Sequence, residues 1–499
     1  MDFDFTAYLA KLDPTYEYQI AKLAGGVVNV TVRATKVGFA SASVKLPILE
    51  RHEHVKMGDG DFEPGHGPFA QHKTLILKHA PPFIAGVGTG APMSEERQMI
   101  EAAALRLFLP GSSHRKGLPS TLDECDPAPL HRILVESGVV VPTLLHYDNG
   151  NHILVLSDLG RLSDMSQIFI HLGGITPGTS SAVLKAPTCV HRLDCPLEAL
   201  EIQNYRDTGE KLGGFFARLH DPGTRRSITE TGLPSSPDGG REDPVAAHAF
   251  PSLPELQGFV HSHAIKPLLS QLLKFPSLLD EAEAAVLFAA VEADFLRTCP
   301  PEEQCFVLGD CWTGAVLLDF SPGIGPVGVG VIDWEFSNTT GRGVNGDVSQ
   351  FLAHLECLRV AAMTRKVQVV EGHVAALNAI MEGFVQKYRT LQTKRFDDTI
   401  MRSAYLSHGA EIINCAFWKM WVCEDLECTA CTRGTGSHPE PETQCSLVTK
   451  LVDRGLSFLR AAVSEDPYAV TGYLKQGIST SEPDDAQVAG LYDFSRGLS

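Results

Sequence analysis

The amino-acid sequence predicts an α+β fold, in which a small β-rich N-terminal part precedes a larger, mostly helical part. Up to about residue 157, short segments rich in β-branched residues show the partial alternation that is typical of strands. Beyond that point, longer segments with helical periodicity recur to about residue 464. We therefore expect a first lobe over residues 1–157, a second lobe over residues 158–475 and a polar tail over residues 476–499.

The first lobe is predicted to contain three strands, a helix and two further strands, in that order. The first three strands are β-branched segments at 27–37, 41–49 and 73–80. The helix follows in "SEERQMIEAAALRLF", where apolar residues recur on one face and Ser94 is a suitable N-cap. The last two strands lie in the apolar segments "VVVPTLLHYD" and "HILVLSDLG".

Composition and charge exclude several classes of function. The chain of 499 residues is 43% hydrophobic and 20% charged, which is ordinary for a globular protein. Its net charge of −18 repels nucleic-acid phosphates and anionic membrane surfaces, so we expect neither as a partner. A secretory signal is absent, and no uncharged apolar segment reaches the roughly 18 residues that would suggest a membrane span. These features predict a cytoplasmic protein.

The 12 cysteines are scattered along the chain, as expected of reduced thiols in a cytosol. One cluster differs, because Cys428 and Cys431 have the C-x2-C spacing of a zinc knuckle. Further candidate ligands lie nearby at Cys423, His438 and Cys445. The sequence around them holds no second C-x2-C or H-x3-H pair, so we favour buried free thiols and leave zinc open.

Three carboxylates follow apolar, strand-like segments in the second lobe. Asp310 lies in "LGDCWTGAVLLD", and Asp333 and Glu335 lie in "GVGVIDWEFS". A carboxylate among apolar segments is costly to bury unless a positive partner meets it. A magnesium–nucleotide complex supplies such a partner, with Asp310 as the catalytic base and Asp333 and Glu335 as the metal ligands.

Phosphoryl transfer also needs a strand lysine for the nucleotide phosphates and a helix glutamate that orients it. Lys78 ends the apolar segment "TLILK", and Glu101 lies beside the apolar face of the predicted helix. Taken alone, Lys78 would be a solvated strand-end lysine and Asp310 a turn former. Their joint order along the chain favours the shared role.

The ordered motifs resemble those of the aminoglycoside phosphotransferase and choline kinase group, which has a protein-kinase-like fold, and the nearest likeness is to methylthioribose kinases. The matching segments span residues 20 to about 360: "GGVVNVTVRA", "LILKHAPPFIAGVG", "MSEERQMIEAAAL", "LSDLG", "LGDCWTGAVLL", "VIDWEF" and "GVNGDVSQFLAHL". The resemblance implies a two-lobed fold that binds ATP and Mg2+.

The same resemblance implies further site residues. Gly25, Gly26 and Asn29 fall in the loop that covers the nucleotide. The hinge that would meet adenine through its backbone contains Leu156, Ser157 and Asp158. Asp347 would be a structural aspartate, and it also has the position of a helix N-cap, with Gln350 at the capping-box position.

Two residues depart from the family pattern H-G-D-x-x-x-x-N. Leu308 replaces the histidine, which the family uses to orient the loop, and Ala315 replaces the asparagine, which usually binds magnesium. Methylthioribose kinases also lack the asparagine and rely on a D-x-E motif like that of Asp333 and Glu335. We expect both carboxylates to share one face of an extended segment, with Trp334 directed into packing.

Two functions from different classes follow. The first is an ATP- and Mg2+-dependent phosphotransferase, an enzyme that acts on a hydroxyl group of a small metabolite such as a sugar, an amino alcohol or an aminoglycoside-like compound. The second is a catalytically weak or inactive kinase-fold protein that binds nucleotide or metabolite, in keeping with Leu308 and Ala315. The sequence identifies neither the acceptor nor the oligomeric state.

Overall fold

A computed structural model of the chain divides into two compact units, each of which is described by itself. The first unit contains residues 1–106 and 142–160, and the second contains residues 107–141 and 161–499. Within these units the structure describes residues 3–23, 28–39, 67–109, 130–160, 162–172, 197–231, 250–251, 254–321, 324–364, 370–392, 397–417 and 446–464.

The first unit is built on one antiparallel sheet of five strands. These strands are β1 (Tyr16–Lys22), β2 (Val30–Phe39), β3 (Thr74–His79), β5 (Leu144–Asp148) and β6 (Ile153–Ser157), in the order β1-β2-β3-β6-β5. Two helices belong to the same unit, α1 (Phe5–Leu12) and α2 (Arg97–Arg106). Strand β3 is central and pairs with β2 on one side and β6 on the other.

A compact apolar core holds α1 against one face of this sheet. Phe5 and Leu9 of the helix pack with Leu75 and Leu77 of β3 and with Val155 of β6. Because side chains alternate along a strand, the residue after Leu77 is directed to the opposite face. This alternation gives Lys78 a place on the face that α1 does not cover.

The predicted strand order agrees with the structure over the described residues, with one addition. The segment predicted at 27–37 overlaps β2, the segment predicted at 73–80 contains β3, and the segment predicted at 41–49 lies outside the described residues. Helix α1 and strand β1 were not predicted. The β1 sequence "YEYQIAK" carries charged and amide side chains at alternate positions, which hides its β character from a pattern of β-branched residues.

The second unit is mainly helical. Its helices within the described residues are α3 (His131–Ser137), α4 (Met165–Leu172), α5 (Ala199–Leu219), α6 (Pro222–Thr231), α7 (Pro254–Val260), α8 (Pro267–Leu272), α9 (Glu281–Leu296), α10 (Ser349–Thr364), α11 (Val370–Leu391), α12 (Asp398–Ala416) and α13 (Ser446–Val463). A π-helical turn over 343–348 leads directly into α10.

Two small sheets in this unit carry the loops that matter for function. One has four strands in the order β4-β10-β9-β7, formed by β4 (Val139–Val140), β7 (Ser163–Asp164), β9 (Val316–Ser321) and β10 (Gly325–Val331). The other pairs β8 (Gln304–Val307) with β11 (Asn338–Arg342) in antiparallel fashion. The segment 308–315 therefore connects a strand of one sheet to a strand of the other, and so does the segment 332–337.

Residues 107–141 cluster with the second unit, although the sequence places them inside a first lobe that ends at 157. The reason lies in pairing: β4 is parallel to β10, and α3 packs on α5. Phe108 likewise contacts Phe215 and Trp334 of the second unit.

The longest helix pair of the second unit, α5 and α11, packs through glycines. A Cβ atom at Gly209 would overlap the carbonyl oxygen of Ile380, and one at Gly213 would overlap that of Phe384. From the other side, a Cβ atom at Gly383 would overlap the carbonyl oxygen of Arg206. The two backbones are thus in direct contact, which only the absence of side chains at these positions permits.

A buried charge cluster joins α10 to α13. Glu356 of α10 is fully buried and pairs with Arg359, whose Nη2 lies 2.9 Å from Oε1, and with Arg454 of α13, whose Nε lies 2.8 Å from the same oxygen. Although burial raises the pKa of Glu356, the two guanidinium groups lower it overall to about 2. The carboxylate is ionised, and removal of one partner would leave a buried charge uncompensated.

The predicted α+β fold class, with a small β-rich unit and a larger, mostly helical one, is confirmed. Among the helices of the described residues, none combines the length and the apolarity that a membrane crossing requires.

The glycine contact between α5 and α11 makes a prediction about stability. We expect Gly213→Ala to lower the free energy of unfolding by about 1–3 kcal/mol, because the added methyl group forces the helices apart. Gly258→Ala on α7 is the matched control, since nothing lies within 4 Å of its Cβ position, and it should leave stability unchanged or raise it by about 0.4–1 kcal/mol. Urea unfolding of both variants measures the difference, and equal stability of the two would contradict the packing described here.

Candidate active site

Lys78 and Glu101 form a buried ion pair in the first unit. The Lys78 Nζ atom lies 3.0 Å from Oε1 and 2.9 Å from Oε2 of Glu101, and both residues are at most 5% exposed. Lys78 is fixed by β3, and Glu101 is fixed by α2. Gln98, one turn before Glu101, donates its side-chain amide to the Lys78 carbonyl oxygen at 3.4 Å. The ammonium group is therefore held at a defined place on the sheet face opposite α1.

Asn29, assigned to the nucleotide-covering loop, is bound to a second buried cation. Its Oδ1 atom accepts a hydrogen bond of 3.0 Å from Nε of Arg97, the first residue of α2. The guanidinium of Arg97 is fully buried and also donates to the carbonyl oxygens of Val28 and Pro81. Arg97 thus joins the end of the predicted loop to the helix that carries Glu101. The other two loop residues, Gly25 and Gly26, lie outside the described residues.

The three residues predicted to form the hinge lie at the end of β6 and directly after it. Leu156 is 4% exposed, and the hydroxyl of Ser157 accepts a hydrogen bond of 2.8 Å from the Thr143 backbone N–H. The carboxylate of Asp158 pairs with Arg33, whose Nε lies 2.8 Å away, and also accepts from the Gly160 N–H. The polar side chains of Ser157 and Asp158 are therefore bonded to other residues of the protein.

In the second unit, Asp310 lies in a loop whose backbone turns sharply at Gly309. The φ angle of Gly309 is +87°, and a Cβ atom there would overlap the carbonyl oxygen of Phe336. Both facts require glycine at this position. The turn brings Asp310 to Gln350 of α10, which donates its amide to Oδ1 at 2.9 Å.

Asp347 holds the same loop through its carboxylate. Its Oδ2 atom accepts the Leu308 N–H at 2.7 Å, and its Oδ1 atom accepts the Gly309 N–H at 2.9 Å. Nε2 of the buried His220 lies 3.2 Å from Oδ2, and Nδ1 of the same ring lies 3.0 Å from the Tyr388 hydroxyl. The carboxylate therefore has a fixed orientation.

Instead of the expected capping box, Asp347 and Gln350 form side-chain contacts with the loop that carries Asp310. Gln350 accepts the Cys311 N–H at 2.8 Å through its side-chain oxygen, while its amide donates to Asp310. The π-helical turn over 343–348 precedes α10, so Asp347 lies inside a helical turn and not at an open N-terminus. The three-residue spacing of Asp347 and Gln350 aims both side chains at one loop.

The surroundings of Asp310 favour its protonated form. Burial raises the pKa of Asp310 to about 7, although the hydrogen bond from Gln350 lowers it. Three further carboxylates add to the rise, and they belong to Glu411, Glu335 and Asp333. A carboxyl group with a pKa near neutrality is suited to exchange a proton at physiological pH.

Asp333 and Glu335 lie close together, but not by the geometry expected from the sequence. A carboxylate oxygen of Asp333 and one of Glu335 lie within 4.8 Å of each other. Asp333 has a φ of +63°, the left-handed region, so the segment is not extended. Trp334 is fully buried and packs on Phe306 and Phe108, as the sequence predicts. Two carboxylates at this separation have the donor chemistry for a hard divalent cation.

The two residues that depart from the family pattern, Leu308 and Ala315, are both buried, and the backbone carbonyl group of each accepts a hydrogen bond. Leu308 is fully buried, and its carbonyl oxygen accepts the Ser337 hydroxyl at 3.3 Å. Ala315 is also buried and ends a short 3-10 turn over 313–315. Its carbonyl oxygen accepts the Ile332 N–H at 2.9 Å, which joins the two loops of the site.

The structure thus forms two sets of candidate residues, Lys78 with Glu101 in the first unit and Asp310 with Asp333 and Glu335 in the second. Sequence analysis missed Arg97, assigned no positioning role to His220, and interpreted Gln350 as a capping residue. The partners of Arg97 and His220 are distant in the sequence, so no local pattern indicates them. The spacing of Asp347 and Gln350 was the one available signal for Gln350.

No protein-family model matches the chain. Over 319 residues the chain is 23% identical to a 4-hydroxytryptamine kinase of Psilocybe cubensis, a match that covers 63% of this chain. The chain spans 62% of the length of that curated relative.

Among solved structures, the chain is similar to a choline/ethanolamine kinase family protein from Mesorhizobium loti, with a TM-score of 0.34 and 12% identity, over 98% of this chain and 97% of that one. It is also similar to a spectinomycin phosphotransferase in complex with ADP and spectinomycin, with a TM-score of 0.33 and 11% identity, over 91% and 96% of the two chains. The nearer likeness to methylthioribose kinases stays an expectation. The broader resemblance to small-molecule kinases, which the ordered motifs predict, agrees with the similarity to the 4-hydroxytryptamine kinase.

Proposed function

We propose that the protein is an ATP- and Mg2+-dependent phosphotransferase that acts on a hydroxyl group of a small metabolite. The observation that carries this proposal is the grouping of three carboxylates in the second unit. Asp310, with its pKa near neutrality, is in electrostatic contact with Asp333 and Glu335, whose oxygens lie within 4.8 Å of each other. A cation relieves the mutual repulsion of such a group, and phosphoryl transfer requires one.

Each candidate residue has a role in this reaction. Lys78, held by Glu101, would bind the α- and β-phosphates, and the backbone of the hinge at Leu156, Ser157 and Asp158 would meet the base. Asp333 and Glu335 would hold Mg2+, which neutralises the phosphate charge that develops during transfer. Asp310 would accept the proton of the acceptor hydroxyl, in an orientation set by Gln350.

The acceptor belongs to a class that the relative helps to define. The curated relative is named for 4-hydroxytryptamine, a small aromatic amine that carries a hydroxyl group. We therefore include hydroxylated aromatic amines with the sugars, amino alcohols and aminoglycosides that the family resemblance implies. The net charge of −18 repels nucleic-acid phosphates, and it is compatible with a small-molecule acceptor.

A second candidate function is nucleotide binding without efficient catalysis. Ala315 favours it, because its methyl side chain offers no oxygen to a metal ion in place of the family asparagine. The ion pair of Lys78 with Glu101 is compatible with both candidates, since binding alone also uses it. The two functions differ in whether phosphate reaches an acceptor.

A metabolite screen tests the choice between these functions. We expect the protein, given ATP and Mg2+, to transfer phosphate to at least one hydroxylated small molecule, and Lys78→Met to lower that rate by several orders of magnitude because the nucleotide phosphates lose their cation. Lys36→Met is the matched control: Lys36 is equally buried on neighbouring β2, but its Nζ donates to the Phe69 carbonyl oxygen at 2.6 Å. A thermal shift with MgATP but no phosphorylated product from a broad metabolite pool would favour the binding protein.

A pH profile tests the role of Asp310. Because a general base must be ionised, we expect kcat/KM to rise with pH and to level off above the pKa of Asp310, which is about 7. Asp310→Asn should remove this limb and lower turnover by orders of magnitude, while nucleotide affinity changes little. Asp319→Asn on β9 serves as the control and should keep the parent profile. A parent profile that is flat through neutral pH would reject Asp310 as the base.

A magnesium titration tests the metal ligands. We expect Glu335→Ala to raise the Mg2+ concentration needed for half-maximal activity almost as much as Asp333→Ala, because Ala315 leaves the protein with two carboxylate ligands. Ala315→Asn should be tolerated and should lower the required Mg2+ concentration if its amide oxygen reaches the ion. An unchanged Mg2+ curve for Glu335→Ala would show that the D-x-E pair does not act as a unit.

A further inference from the structure

Helices α10 and α12 of the second unit each present a pair of metal-ligating side chains to the other. His354 and Cys357 are three residues apart on α10, and Glu411 and Cys415 are four residues apart on α12. These spacings place both members of each pair on one face of its helix. The two helices pack together, so the four side chains meet in the helix interface. None of them is assigned a role in the proposed transfer site, although the Glu411 carboxylate lies near enough to Asp310 to raise its pKa.

Three of the four groups, those of His354, Glu411 and Cys415, lie within 4.8 Å of one another. Nε2 of His354 lies 2.8 Å from Oε1 of Glu411, and the Cys415 sulfur lies 3.6 Å from His354 Nε2 and 3.8 Å from Glu411 Oε1. Cys357 has its thiol next to that of Cys415 and supplies a second sulfur. His354 is 3% exposed and both cysteines are fully buried, which excludes solvent from most of the cluster.

We propose that His354, Cys357, Glu411 and Cys415 bind one thiophilic divalent cation, with Zn2+ as the ion of best fit, between helices α10 and α12. Neutral imidazole, thiolate and carboxylate are the ligands that zinc accepts in tetrahedral sites. Pairs of ligands projecting from facing helices are a general way to build a metal site within a helical bundle.

The distances support tetrahedral coordination. With a Zn–S bond of about 2.3 Å and a Zn–N bond of about 2.0 Å, tetrahedral angles place sulfur and nitrogen about 3.5 Å apart, and sulfur and carboxylate oxygen about 3.6 Å apart. The corresponding distances here are 3.6 Å and 3.8 Å. The nitrogen–oxygen distance of 2.8 Å would open by about 0.5 Å when the ion replaces the shared proton.

This ligand set separates the site from magnesium chemistry. Mg2+ prefers oxygen ligands in octahedral geometry, and Asp333 with Glu335 offers only oxygens. Two sulfurs, one imidazole and one carboxylate select softer ions of the zinc class. The proposed metal site therefore does not depend on the proposed kinase function, and a measurement of metal binding is enough to test it.

Cobalt substitution of the full-length, reduced protein tests the proposal. We expect metal-free protein to bind Co2+ with one equivalent at this site, detected by visible d–d bands of tetrahedral cobalt and by a near-ultraviolet band of thiolate coordination, and Zn2+ to displace it. Cys415→Ser should weaken the thiolate band, because Cys357 remains as the second thiolate, and should weaken Co2+ binding by more than the roughly tenfold to hundredfold typical of a residue outside the coordination sphere.

Two control variants separate this site from other cysteines. Cys299→Ser changes a half-buried cysteine outside the cluster and should leave the spectrum intact. The double variant Cys428→Ser/Cys431→Ser removes the C-x2-C pair and should also retain the bands. Should Cys415→Ser fail to fold, Glu411→Gln replaces it, with weaker Co2+ binding and a retained thiolate band as the expected result. Absence of tetrahedral bands in the parent, an unchanged spectrum and Co2+ affinity in Cys415→Ser, or loss of the bands only in the C-x2-C variant would overturn the proposal.

Discussion

The carboxylate of Asp347 accepts the backbone N–H groups of Leu308 and Gly309, and its Oδ2 atom also contacts Nε2 of His220. A hydrogen bond to a charged acceptor contributes about 1.5–3 kcal/mol, and here two such bonds hold consecutive residues of one loop. Gln350, one helical turn further on, holds the next part of the loop at Asp310 and Cys311. The position of the proposed base thus depends on two side chains that flank the start of α10.

This arrangement explains how the loop keeps its shape without the histidine that the family pattern places at position 308. Leu308 contributes its backbone to the network and its side chain to the core, where it is fully buried. Asp347 and His220 orient the loop in place of that histidine. His220 lies at the end of α5, about 90 residues before Leu308. Leu308, which in the sequence alone favours a catalytically weak protein, is therefore compatible with an ordered loop around Asp310.

How much the sequence predicts depends on the range of the interactions involved. The joint order of the motifs along the chain indicated Lys78 and Glu101, and the apolar residue between two carboxylates indicated the burial of Trp334. Arg97 was not predictable, because its partners at Val28 and Pro81 are joined to it only by the fold. Asp333 has a left-handed backbone conformation that few non-glycine residues adopt. The alternation of side chains along a strand, which we expected from the sequence, therefore does not explain why the carboxylates of Asp333 and Glu335 lie close together.

The contacts at the start of α10 also determine which parts of the chain can open together. The amide hydrogens of Leu308, Gly309 and Cys311 are bonded to side chains from 347 and 350, and so they exchange with solvent only when the loop separates from that segment. Helix α10 is in turn joined to α13 by the ion pairs of Glu356. We therefore expect the loop, the turn and the two helices to act as one unit of local unfolding, in which a change at α13 alters how often the loop separates from α10.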